Sequence, residues 1–270
     1  MEKASYDVVI LSDLHLGSEL SRAREALELL QSLRFQRLIL LGDIFCDLNF
    51  RRLKKEHWQF LSYIRKLSNP KRGAEVIWVE GNHDYGLADV MSHLVGVPVY
   101  QEYRWASAGV RNLAIHGHQF DSFVINNHLW MNSFAGELYL FIQKLSSKGR
   151  RFAQLLDKLN THWQRLTPKV ASGALAYARS RGAARVFCGH THQTMTLTKN
   201  GISYYNAGAW TINRPSYIGL LGREVSINEY SGRIDDCYTG EERREVAASV
   251  VGLAAETRLP ADVEYQGAFS

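Results

Sequence analysis

Short apolar runs, each closed by Gly, Asp, Asn or His, recur along the chain and predict its strands. Tyr6–Leu11 runs into Ser12, Asp13, Leu14 and His15, Arg37–Leu41 into Gly42 and Asp43, and Glu75–Val79 into Gly81, Asn82, His83 and Asp84. Farther on, Leu113–Ile115 precedes His116, Gly117 and His118. Arg185–Cys188 precedes Gly189, His190, Thr191 and His192, and Ile202–Tyr205 precedes Asn206, Gly208 and Trp210. Between the first three runs the period changes. Ser21–Leu33 recurs in apolar Ala23, Ala26, Leu27, Leu30 and Leu33, and Leu53–Leu67 in Trp58, Leu61, Ile64 and Leu67, both at helical spacing. Continuous apolar strands alternating with amphipathic helices predict an α/β fold whose sheet is covered on its faces.

In open α/β sheets the ligand crevice lies beyond the carboxyl ends of the strands. Five predicted strand ends deliver Asp13 and His15, Asp43, Asn82 and His83, His116, and His190 and His192. Taken singly, each has a bland reading: a lone His after a strand is more often a hydrogen-bonded loop residue, and Asp43 after a glycine reads as a turn or helix cap. Recurrence of the same residue types at the same relative position five times is what accident does not produce.

Carboxylates, imidazoles and one amide oxygen form a mixed O/N donor set. It suits Mn²⁺, with Fe or Zn²⁺ as the other fits, better than the all-oxygen cages of Ca²⁺. Seven donors exceed what one tetrahedral ion takes but suit two ions that share a carboxylate, and Asp43 is the natural bridge. Two cations about 3.5–4 Å apart clamp a phosphoryl group and generate a bridging hydroxide for in-line displacement.

The order Asp13-Leu-His15, Gly42-Asp43, Gly81-Asn82-His83-Asp84, His116-Gly-His118 and Gly189-His190-Thr191-His192 resembles the calcineurin-like metallophosphoesterases. The resemblance implies a four-layer α/β/β/α sandwich. It also implies one metal held by Asp13, His15, Asp43 and His192, a second held by Asp43, Asn82, His116 and His190, and His83 as a non-ligand histidine that contacts the phosphate and protonates the leaving group. Many members carry an acid three positions after the bridging Asp to orient that histidine. Here Cys46 stands there, which leaves Asp47, Asp84 or another group to orient His83. Cys46 and Cys188 read as buried structural thiols, and with Cys237 they make an odd, widely spaced set that implies no disulfide framework.

Composition enters through one segment. The chain as a whole is ordinary: 270 residues, 46% hydrophobic, 22% charged, formal net charge +5, which excludes a largely disordered or fibrous protein. Between Asp121 and Arg185, however, ten Lys and Arg face only three acids, a local charge of +7. Trp130, Phe134, Leu138, Phe141 and Leu145, then Phe152, Leu155, Leu156 and Leu159, recur at helical spacing, and Leu138–Ile142 is apolar all round. The reading is a helical cap insertion, about 121–182, in which Pro168 breaks the pattern before a last helix over Val170–Ala178. A greasy groove with a basic rim suits an amphipathic anion, with Lys144, Lys148, Arg150 and Arg151 as phosphate contacts. Such a cap also fits peripheral contact with an anionic membrane surface. Plain docking of the cap on the domain is the competing reading.

Ser12–Gly17, Leu41–Phe45, the insertion after His116-Gly117, Cys188–His192 and the Asn206-x-Gly208-x-Trp210 block look most like the UDP-2,3-diacylglucosamine pyrophosphatases of lipid A biosynthesis. His83 stands where their best-known branch has Arg, so a sister branch is the match. That resemblance implies a pyrophosphatase giving UMP and 2,3-diacylglucosamine 1-phosphate by attack of a metal-bridged hydroxide. The alternative is a metallophosphodiesterase acting on another phospholipid, a nucleotide or, with less support, nucleic acid. A Ser/Thr phosphatase fits less, since Gly42–Leu48 lacks the G-D-x-V-D-R-G pattern. A non-enzymatic scaffold fits least, because all seven donors are present. The expected organisation is a single domain over 1–240 and a tail or short helix over 241–270. With neither a leader nor a run of about 18 apolar residues, the expected location is the cytoplasm, including the inner face of its membrane.

Overall fold

The computed structural model describes residues 3–47, 49–69, 71, 74–86, 88–121, 167–212 and 214–231. Two sheets lie face to face. The first has strand order β11-β10-β1-β2-β3-β4, built from β1 (Ser5–Leu11), β2 (Arg34–Leu41), β3 (Glu75–Val79), β4 (Val99–Tyr100), β10 (Ser216–Leu221) and β11 (Glu224–Glu229). The second runs β5-β6-β7-β9-β8, from β5 (Tyr103–Ser107), β6 (Val110–Ala114), β7 (Arg185–Cys188), β8 (Thr194–Lys199) and β9 (Ile202–Ala207). β1, β2, β3 and β4 are parallel, joined through α1 (Ala23–Ser32), α2 (Lys55–Leu67) and α3 (Ala88–Val95). β10 closes antiparallel on β1.

The period of two along the strands sorts the core into layers. Val9 and Leu11, Leu38 and Leu40, and Val76 and Trp78 face a cluster with Ala26, Leu30, Phe60 and Ile64 of the helices. Their alternates Val8 and Ile10, Ile39 and Leu41, and Ile77 and Val79 meet Trp105, Ala114, Phe187 and Ala207 of the second sheet. The outer face of that sheet (Leu113, Val186, Cys188 and Tyr204) packs on Ala171, Ala174, Leu175 and Ala178 of a further helix, α4, described over 167–180. The result is the expected α/β/β/α sandwich, and the uninterrupted apolar runs are explained because both faces of each central strand are buried. Tyr103, Trp105, Phe187 and Tyr205 stack in succession along the second sheet, with centroids 5.6, 5.5 and 5.2 Å apart.

Several boundaries differ from the sequence expectation. β2 begins at Arg34, three residues early, because its first half has one half-exposed face. β6 covers Val110–Ala114, leaving Ile115 past the strand end. Pro168 lies inside the helical stretch 167–180 instead of before it. β5, β8, β10 and β11 carry no apolar run ending in a chemical motif. β8 and β11 are alternating edge strands in hairpins, a weaker signal than a doubly buried strand. Most of the predicted cap, with Lys144, Lys148, Arg150 and Arg151, and the whole of 241–270 lie outside the described residues. Among the described residues, no helix is long and apolar enough to cross a membrane.

Candidate metal centre

Beyond the ends of β1 and β2 the two chain segments continue side by side. Asp13 N–H donates to Gly42 O (3.1 Å), His15 N–H to Asp43 O (3.0 Å) and Leu16 N–H to Ile44 O (2.7 Å). This brings Asp13 and His15 against Asp43. The neighbouring strand ends join through the carboxylates themselves. One oxygen of Asp43, Oδ1, accepts the His83 backbone N–H (2.9 Å), and Asp13 Oδ2 accepts that of His190 (3.0 Å). The other oxygen of each faces imidazoles: Asp43 Oδ2 lies 3.3 Å from His116 Nε2, and Asp13 Oδ1 lies 3.2 Å from His192 Nε2. Each acid therefore pins a loop from another strand with one oxygen and offers the second to the centre.

The strand ends turn sharply to do this. Asp13, His15, Asp43, His190 and His192 have φ of 54°, 47°, 50°, 66° and 55°, five of the seven non-glycine residues with positive φ among those described. Left-handed backbone costs an L-residue about 1–2 kcal/mol, so the rest of the fold holds these residues in place. Glycine accompanies them where space runs out. A Cβ on Gly42 would collide with the His116 ring, and one on Gly189 with Ser12 Oγ and Asp13 Oδ2. Asn206 secures the last loop from beneath, donating from Nδ2 to Gly189 O (2.7 Å) and Thr191 Oγ1 (3.1 Å). Trp210 N–H donates to Asp13 O at 3.0 Å.

Three clusters of donor atoms result: Asp13, His15 and His192; His15, Asp43 and His83; and Asp43, His116 and His190, each within 4.8 Å. Asp43 and His15 each belong to two of them, so Asp43 stands between the His15 side and the His116–His190 side of the centre. His118, the second histidine of His116-Gly-His118, joins none among the described residues, and its ring centroid lies 5.5 Å from that of His116. A cation is what the centre's chemistry asks for. Asp13 Oδ1, Asn82 Oδ1 and His116 Nε2 are buried without a well-formed hydrogen bond, Asp13 Oδ1 facing only the His192 ring and His116 Nε2 only the Asp43 carboxylate, a crowding of donors that a metal would relieve. The titration balance says the same. Burial would raise the Asp43 carboxyl, yet the His116 and His83 imidazoles hold it well below the usual range. Burial would lower His116, but Asp43 and Asp13 outweigh it and lift the ring to about 10. Without a cation, His116 thus holds a proton where the metal's charge belongs. Burial pushes His15 down to about 3, a neutral ring ready to ligate.

His83 stands at the rim, its side chain about one-third exposed. Its Nε2 lies 3.9 Å from Asp43 Oδ2, and its Nδ1 is 2.7 Å from Cys46 O. The partner that sequence left open is therefore a backbone carbonyl. Asp84 is committed elsewhere, accepting from Ile44 N (2.9 Å) and Gly81 N (2.5 Å), and Asp47 pairs with Arg52. The Cys46 thiol is buried and pushed up to about 11 by burial, which makes it a protonated structural group and not a nucleophile. One further acid arrives unannounced: Asp121 Oδ2 sits 3.1 Å from His190 Nε2. Sequence counted Asp121 only as a charge in a basic segment, and no spacing rule marks an acid five residues after a ligand.

A family model described as the calcineurin-like phosphoesterase superfamily domain matches residues 7–220. No curated protein matches the chain. Similar solved structures include wild-type Vps29 complexed with zinc from Entamoeba histolytica, at 16% identity over 84% of this chain and 94% of that one, with a TM-score of 0.44. They also include the phosphoesterase Yfce of E. coli (20% identity, 83% and 93% covered, TM-score 0.46) and an archaeal phosphodiesterase (15%, 82% and 98%, TM-score 0.45).

Proposed function

The chain belongs to the calcineurin-like phosphoesterase superfamily, and from that premise we propose that it is a dinuclear-metal hydrolase of a phosphodiester or pyrophosphate bond in an amphipathic, nucleotide-linked lipid. The observation that carries the reading is the convergence of five strand-end loops on one buried cluster of carboxylate, amide and imidazole donors. Asp13, His15, Asp43 and His192 would hold one divalent ion, and Asp43, Asn82, His116 and His190 the other. Such ions neutralise the phosphoryl oxygens and lower the pKa of a bound water.

The chain's own residues do the rest. The shared Asp43 keeps the two donor groups at one spacing. His116 donates from Nδ1 to Leu41 O (3.0 Å), which turns Nε2 inward. His83, held through Nδ1 by Cys46 O, is left with Nε2 at the half-exposed rim, where it would serve as the proton donor to a leaving oxygen.

The narrowest form of the proposal is hydrolysis of UDP-2,3-diacylglucosamine to UMP and 2,3-diacylglucosamine 1-phosphate. It is supported by the motif resemblance and by the basic, apolar composition of 121–185. Incubation with this substrate and Mn²⁺, products read by mass spectrometry, is expected to give those two compounds. Cleavage of a generic phosphodiester without that turnover would keep the phosphoesterase and discard the substrate. Arg150→Ala with Arg151→Ala is expected to slow the lipid-linked substrate more than a small chromogenic diester. Equal losses would remove the cap from substrate choice.

A further inference from the structure

Resting on the dinuclear reading above, we infer that Asp121 is a positioning residue of the metal centre, fixing the tautomer and orientation of His190. Asp121 and His190 are both buried, and Asp121 Oδ2 lies 3.1 Å from His190 Nε2. A ring nitrogen that gives its proton to a carboxylate has no lone pair for a metal, so Nδ1 becomes the ligating atom of His190. A carboxylate suits this role because it only accepts. It therefore selects the Nε2–H tautomer, and its charge raises the basicity of the ring's other nitrogen.

The fold holds Asp121 for this purpose. After His116 the chain turns at Gly117 (φ 109°) and makes a short 3₁₀ turn over His118–Phe120, and Asp121 N–H closes it on His118 O at 3.0 Å. The Phe120 ring fills the space that a Cβ on Gly173 of α4 would occupy and lies 6.0 Å from the Tyr177 ring, which docks the turn on the helix. Asp121 therefore reaches His190 from the same loop that delivers His116, and the two histidines of the Asp43 cluster are set by one segment. Asp121 itself belongs to none of the donor clusters among the described residues, which makes it a partner of a ligand and not a ligand.

Zn²⁺ alone is the probe, titrated calorimetrically into the full chain. Two ions per chain are expected. Asp121→Ala should weaken one site by about 10–100-fold and leave the other unchanged. Asp121→Asn keeps an oxygen to accept from Nε2–H and should recover much of that loss. In the zinc-loaded chain, long-range ¹H–¹⁵N correlation should place the His190 proton on Nε2, a signature that a merely packing role would not produce. This last measurement needs no variant and stands even if Asp121→Ala fails to fold. Wild-type affinity at both sites in Asp121→Ala, or a His190 proton on Nδ1, overturns the role. Complete loss of one ion without rescue by Asn overturns it too, since Asp121 would then be a ligand. A chain that binds no Zn²⁺ overturns the dinuclear reading itself, and the positioning role with it.

Discussion

The apolar seam between the two sheets and the loop crest directly above it use the same strands for opposite ends. In the seam, Ile10, Ile39, Val79, Phe187 and Ala207 are buried in regular extended backbone, and their burial stabilises the fold. A few residues on, Asp13, Asp43, His190 and His192 take left-handed φ and gather titratable side chains in a largely buried place, and they contribute strain. The seam therefore supplies the stability that the crest consumes, as functional sites commonly require. Substitutions should separate the two regions: changes in the crest cost function and little folding, and changes in the seam cost folding first.

The sharpest way to break this comparison is Asp43→Asn. It removes the carboxylate proposed to bridge the two ions yet keeps a side chain that tolerates positive φ. Phosphoesterase activity should fall to background and bound metal to at most one ion. The metal-free chain should stay folded, its thermal midpoint lowered near neutral pH by loss of the buried His116–Asp43 pair. Unfolding of Asp43→Asn at ordinary temperature would show that the crest is structural after all. His83→Ala comes next, with kcat expected to drop by about 10²–10⁴-fold while two ions remain bound. Metal analysis beside steady-state kinetics checks this, and an unchanged kcat would remove His83 from the reaction. Trp105→Ala, at the middle of the aromatic stack, should cost about 3–5 kcal/mol in denaturant unfolding. At temperatures where that variant stays folded, its metal affinity should match wild type, and a lost ion would mean that seam and crest are not separable.

The smallest effect sharpens the comparison through pH. His116 has a folded pKa near 10, raised above its unfolded value. In the metal-free chain its contribution to stability is thus complete below about pH 6.5. It is lost as pH rises through 10, because the folded state then gives up the proton it held in excess. Metal must displace the same proton. Affinity is therefore expected to rise by about tenfold per pH unit between 7 and 10, measured by competition with a chelator. A flat profile would mean that His116 is neutral before the metal arrives.

Much of this was legible in the residues alone. Gly-Asp, Gly-Asn-His-Asp and Gly-His-Thr-His each follow a doubly buried run, so chain order placed the donors at strand ends, and the period of two explained which alternates face helices and which face the other sheet. Such information is local: an apolar run, a glycine and a ligand lie within a few residues of one another. The sequence also posed, without answering, what orients His83 in the absence of an acid at Cys46. Only tertiary structure decided that the partner is the Cys46 carbonyl, because a backbone atom carries no residue-type signal. The same holds for Asp121, which meets His190 across 69 positions. It holds too for the division of labour within Asp13 and Asp43, one oxygen to a backbone N–H and one to the centre. Those facts depend on how separate loops approach one another, and that approach is set by the packing of two sheets, not by any stretch of sequence.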